Sequence, residues 1–156
     1  MKPKHSLSSV VIAVLVGGCG GGAASGPAPM PAEGPGPQLV VERFLQAANA
    51  NDLPTMTTLF GTAAQRIDQL EPEAVAHRRM YVLASLLRHE DFRIEGQRVV
   101  PGRMDNATEV MVVIRQERRE VSVPHLVVRR NTGGWIIEKI DVEKLTRGAR
   151  TRGSRD

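Results

Sequence analysis

The chain has 156 residues, of which 41% are apolar and only 3% aromatic, with one cysteine and a formal net charge of +4. That length allows one domain once the ends are set aside, with a mostly aliphatic core. The positive balance invites a nucleic-acid reading, but its placement excludes one. Residues 38–146 hold 15 Lys and Arg against 15 Asp and Glu. The excess falls at the ends, at Lys2 and Lys4 and at Arg147, Arg150, Arg152 and Arg155, and a neutral body without interleaved aromatics is not a nucleic-acid surface.

Lys2, Lys4 and His5 precede an apolar run from Val10 to Val16, and small residues then lead to Cys19. A basic start, a short apolar centre and small residues before a cleavage point have the form of a secretory signal peptide. Seven apolar residues rise only about 10 Å as a helix, against roughly 30 Å of hydrocarbon, so this run does not span a bilayer. Val16-Gly17-Gly18-Cys19 resembles the lipobox of bacterial lipoproteins. The resemblance implies that residues 1–18 are removed and that Cys19, acylated with three chains, becomes the new N-terminus. More than one chain suffices for stable anchoring in the lipid bilayer. The only thiol is then consumed, which leaves no disulfide and no cysteine metal site. Gly20 stands where inner-membrane retention is associated with Asp in some relatives, so the expected address is the outer membrane, on its periplasmic side.

Gly, Pro and Ala supply 15 of the 18 residues from Gly20 to Pro37. Such a stretch buries too little apolar surface to offset ordering. Residues 19–37 read as the lipidated cysteine and a tether of at most roughly 55 Å, at about 3.1 Å per residue.

Residues 38–145 form the expected domain. Val40, Val41, Phe44, Leu45 and Ala48 have the spacing of one buried helical stripe over Gln38 to Asn51. Asp52 is placed to cap a short helix that carries Met56, Leu59 and Phe60 and stops at Gly61. Gly61 to Leu70 reads as a linking stretch with no strand. Pro72 opens a longer helix to about His89, with Ala76, Met80, Leu83, Ala84 and Leu87 on one face and Val82 and Leu86 widening it.

Strands follow from Asp91. Phe92 and Ile94 alternate with Arg93 and Glu95, and Gly96 predicts a bulge or bend. Val110 to Ile114 is a nearly continuous apolar run suited to a central strand. Glu117 to Glu120 turns the chain into Val121 to Arg130, where Pro124 predicts a kink or an edge. Asn131-Thr132-Gly133-Gly134 predicts a hairpin turn before Trp135 to Val142. Helices first and strands after give an α+β class, one antiparallel meander of about four strands with the N-terminal helices packed on one face. Residues 146–156 read as a basic, disordered tail able to meet acidic lipid or glycan.

The opening helix, Val40 to Ala48, with Asn51-Asp52 after it, and the closing strand Gly133-Gly134-Trp135-Ile136-Ile137-Glu138-Lys139-Ile140-Asp141 resemble the nuclear transport factor 2-like (cystatin-like) superfamily. The likeness is greatest to its small bacterial lipoprotein members and covers residues 38–142. It implies a curved sheet wrapped round the long helix, leaving a cone-shaped cavity, and in some relatives dimerisation through the exposed sheet face. Arg93, Glu95, Arg115, Glu117, Arg129 and Glu138 are expected on that face here. The superfamily includes isomerases and cyclases beside members without catalysis, so fold does not decide function.

Candidate chemistry is sparse. His77, Tyr81, Ser85 and Arg88 share one line on the long helix, opposite Met80 and Leu87, which reads as a solvated face. His125 lies among Val121, Val123, Leu126 and Val127, where it either points into the cavity as a base or sits at a strand edge. Asp68, Asp91 and Asp141 are further carboxylate candidates, none in an apolar run. His89-Glu90-Asp91 diverges at a helix-to-strand junction and makes no tetrahedral metal set. No P-loop, dinucleotide fingerprint or Ser-His-Asp pattern is present, so no cofactor and no metal are expected.

The leading expectation is a lipid-anchored, non-catalytic module. It takes a small apolar ligand or an envelope partner protein, with Tyr81 and His125 as the binding residues. The alternatives are a dimerising scaffold and an isomerase- or dehydratase-like enzyme using His125 or an aspartate.

Overall fold

A computed structural model describes residues 36–150, with side chains for residues 36–146. The expected signal peptide, Cys19 and nearly all of the expected tether lie outside the described residues, as do residues 151–156. The elements run α1 (Pro37–Ala50), α2 (Leu53–Leu59), α3 (Ile67–Leu70), α4 (Glu73–Leu87), β1 (Asp91–Val99), β2 (Ala107–Gln116), β3 (Arg119–Arg129), β4 (Trp135–Ile140) and α5 (Glu143–Arg150). The class is α+β, with a four-stranded antiparallel sheet in the order β1-β2-β3-β4 and four helices before it.

Proline opens α1, where a missing N–H costs nothing. The stripe Val40, Val41, Phe44, Leu45 and Ala48 is fully buried, joined by Ala47. Asn51 ends the helix at a left-handed φ of 55°, and asparagine tolerates that conformation better than most residues. Asp52 then caps α2, its carboxylate accepting from the Thr55 N–H at 3.1 Å. Pro54 in the first turn completes the start signal.

The stretch from Gly61 to Leu70 departs from its expected irregular form. Phe60 bridges Ile137 of β4 in parallel, Gly61 bridges Arg66 in antiparallel, and α3 follows. The chain thus makes the smallest form of a hairpin on the outer edge of β4, fixed by Gly61 N–H to Ile137 O at 2.9 Å and Ile67 N–H to Phe60 O at 2.9 Å. Two bridges leave no run of alternating residues to read in a sequence.

In the sheet, Gly96 marks a bulge against Met111, as its position predicts. The β2–β3 turn is tighter than expected. Gln116 pairs with Arg119, so only Glu117 and Arg118 form the loop, and Arg119 and Glu120 belong to β3. Pro124 sits in an inner strand without breaking it. Its carbonyl accepts from Asp141 N–H just past the end of β4. Within a strand a residue's N–H and C=O point the same way, so the missing donor falls where β4 has already stopped.

Alternate residues of β2 and β3, namely Val110, Val112, Ile114, Val121, Val123 and Val127, face the helices. They join Phe44, Leu45, Met80 and Leu87 in one buried cluster. A fully buried Phe or Leu of this kind contributes about 2 kcal/mol. The outer face, expected to carry charges of mixed sign, also has an apolar part. Ala107, Val128 and Ile136 form a second buried cluster there, packed by Ala63, Val100 and Leu126, because the β1–β2 loop and the 61–66 hairpin fold over it. Arg103 crosses to Glu138 at 2.7 Å above that end. The C-terminal tail also begins differently from expectation. Residues from Glu143 form α5, and Leu145 is buried at 5% exposure within the main core.

Candidate functional site

Of the two residues expected to widen the buried face of α4, Leu86 packs half-buried against the core and Val82 does not join it. The buried stripe is Ala76, Met80, Ala84 and Leu87. Val75 and Val82 instead stand exposed at 44% and 52%, and Leu83 and Leu86 are half-buried. The helix therefore has a second apolar line, turned toward the end of β4. Between that line and residues 138–142 lies an open groove of about 520 Å3, with Phe60 and Ile140 contributing apolar walls. Its volume falls within the range of small-ligand sites.

Charged groups rim the groove on both sides. Arg79 is paired to Glu71 at 2.6 Å and Glu138 to Arg103. Arg78 and Lys139 have no carboxylate partner among the described residues. Apolar walls with two uncompensated cations at the rim provide burial for a hydrocarbon body and attraction for a negative end.

Tyr81 and His125 are not brought together. Tyr81 is 56% exposed on the outer side of α4, and His125 is wholly buried. The line of His77, Tyr81, Ser85 and Arg88 is a surface line, with Ser85 Oγ donating back to Tyr81 O at 2.8 Å. His125 lies on the helix-facing side of β3, opposite Val110 of β2 and Ile140 of β4. Its Nδ1 donates to Val123 O at 2.8 Å, and Nε2 is buried without a partner. Burial pushes this imidazole down to about 4, against the smaller opposing effect of the Val123 carbonyl, so it is neutral near pH 7. It occupies the interior of the sheet as a core residue does and makes no contact with solvent.

The carboxylate candidates are engaged in local bonds. Asp68 pairs with Arg66 at 3.0 Å, Asp91 lies 3.7 Å from Arg115, and Asp141 accepts from Glu143 N–H at 3.2 Å. His89, Glu90 and Asp91 diverge: His89 Nδ1 turns back to Leu87 O at 2.7 Å, while Glu90 leans toward Arg115. No group of three metal-ligating side chains occurs among the described residues. No described helix is long and apolar enough to cross a membrane.

Sequence reasoning missed the groove, although the signal was present. Val75, Val82 and Leu86 recur at i, i+7 and i+11, one helical line beside the buried one. No family model, curated protein or solved structure matches this chain.

Proposed function

We propose that the chain is a lipid-anchored protein of the bacterial envelope, acylated at Cys19, whose folded part is a non-catalytic binding module for a small apolar ligand. The groove between α4 and β4 carries this reading, since Val75 and Val82 are left in water on a helix that buries its other apolar face. Ligand contact falls to Val82, Leu83 and Ile140, with Tyr81 and His125 outside the groove. The nuclear transport factor 2-like assignment rests on the resemblance of the opening helix and the closing strand, and the helices before a four-stranded antiparallel sheet agree with its coarser α+β class. The anchor rests on the lipobox resemblance at Cys19.

A neutral environment-sensitive naphthylamine dye tests the module. Its fluorescence should rise on adding the full chain, and Val82→Asp should weaken binding about ten-fold while leaving the melting temperature unchanged, because Val82 is exposed. Equal dye binding by wild type and V82D would remove the groove as the site. Intact mass of the N-terminal peptide from native membranes tests the anchor; an unmodified Cys19 thiol or a retained leader defeats it.

A further inference from the structure

Six arginines of the folded body are paired, and several others, Arg43, Arg78 and Arg130 among them, have no carboxylate partner among the described residues. Arg66, Arg79, Arg93, Arg98, Arg103 and Arg115 each stand against a carboxylate. Arg88, Arg118 and Arg119 have no such partner among the described residues, yet all three line one cleft of about 850 Å3 at the end of α4. Arg88 is the residue that closes α4, and Arg118 and Arg119 come from the β2–β3 turn. Of the carboxylates in the lining, Glu90 leans to Arg115 at 3.6 Å and Glu117 has an interaction of its own.

The C-terminus of a helix is ordinarily the wrong place for an anion, since its last carbonyls point outward with partial negative charge. Here those carbonyls are covered. Gln116 Nε2 donates to Leu86 O at 2.8 Å and to Arg88 O at 2.7 Å, and His89 Nδ1 donates to Leu87 O at 2.7 Å. The two side chains that quench the repulsive end of α4 themselves line the cleft.

We propose that this cleft is a binding site for a phosphoryl group, borne by a soluble phosphate ester or by a phospholipid headgroup. One guanidinium satisfies the two oxygens of a carboxylate, whereas guanidiniums arriving from two elements suit an anion with three or more oxygens. The neighbouring Arg118 and Arg119 repel one another, and an anion between the turn and Arg88 relieves that repulsion. The site is separate from the groove at β4, and its test does not depend on the groove.

The full chain is titrated with inorganic pyrophosphate by calorimetry. It is also floated with phosphatidylcholine vesicles that contain or lack phosphatidylglycerol. Two variants are compared, R88Q/R118Q/R119Q in the cleft and R147Q/R150Q/R152Q/R155Q in the tail, each checked for an unchanged thermal melt. The cleft variant should weaken binding by about ten-fold or more, and the tail variant should stay within about two-fold of wild type at physiological salt. Pyrophosphate binding without vesicle attachment identifies a soluble source. Attachment that requires phosphatidylglycerol, without pyrophosphate binding, identifies a headgroup. Binding of neither probe, or a loss that follows the tail variant and spares the cleft variant, overturns the proposal.

Discussion

Asn49 and His89, 40 residues apart, bond each other twice: Asn49 Nδ2 donates to His89 O at 3.0 Å, and His89 N–H donates to Asn49 Oδ1 at 3.1 Å. One amide side chain thereby acts as a strand partner for the backbone that leaves α4 and enters β1. It ties the last turn of α1 to the junction that also forms one wall of the basic cleft.

Replacing Asn49 removes both bonds at an exposed position, where water takes over part of the loss. Asn49→Ala should cost about 1 kcal/mol in urea unfolding. Asn49→Asp, which keeps the acceptor and discards the donor, should cost roughly half of that. Equal stability of all three chains shows that the junction is held by packing alone.

Among the described glycines, Gly61 is the one with the least room for a side chain. Its φ is +157°, and a Cβ there would collide with the Gln65 carbonyl oxygen and stand 2.8 Å from Arg66 Cα. Both obstacles are backbone and cannot swing aside. Gly61→Ala should therefore destabilise by roughly 2 kcal/mol and loosen the Gly61 N–H to Ile137 O bond, seen as faster hydrogen exchange at that amide. Gly36→Ala, with nothing within 4 Å of its added carbon, is the matched control and should change little.

Much of the fold follows from signals confined to a few neighbouring residues. The α1 stripe, the Asp52 cap, the Gly96 bulge and the Gly133-Gly134 turn each rest on one period or one special residue, and each is where its pattern places it. The features that escaped depend on distant partners. The 61–66 hairpin exists because Ile137 offers a carbonyl 76 residues after Gly61. Val82 reads as core, yet it stands exposed in the groove beside residues 138–142. Arg88, Arg118 and Arg119 are unremarkable in sequence, and only the return of β2 to the end of α4 brings them to one cleft.

The junction of the domain with the tail shows the same limit from the other side. The arginines that follow outweigh a single leucine in composition, yet Leu145 is buried and α5 runs on past it. Leu145→Ala should cost about 2 kcal/mol, the lower end for a buried leucine at the margin of a core. Thr146→Ala beside it gives up only a hydroxyl bond to Glu143 O and should cost less than the leucine change. A Leu145→Ala chain as stable as wild type would return this segment to the unstructured tail.

The buried imidazole of His125 makes stability depend on pH in one direction. In the folded chain it is pushed down to about 4 from an ordinary 6.5, chiefly by burial. Above pH 6.5 neither state is protonated, and the full stability is present. Between 6.5 and 4 the unfolded chain binds a proton that the folded chain refuses, so stability falls as pH falls, by up to roughly 3 kcal/mol. Below 4 both states carry the proton and this contribution is flat. Asp52 and Glu120, held below their usual range by Thr55 and Arg93 respectively, add their own loss at lower pH, and they do so in wild type and variant alike. His125→Leu isolates the imidazole: it removes the unpartnered Nε2 and the titration together, at the cost of the bond to Val123 O. Urea midpoints at pH 7.5 and pH 4.5 should differ markedly in wild type and much less in H125L. An identical pH response in the two chains means that the ring reaches water and titrates normally, which would restore His125 as a candidate base.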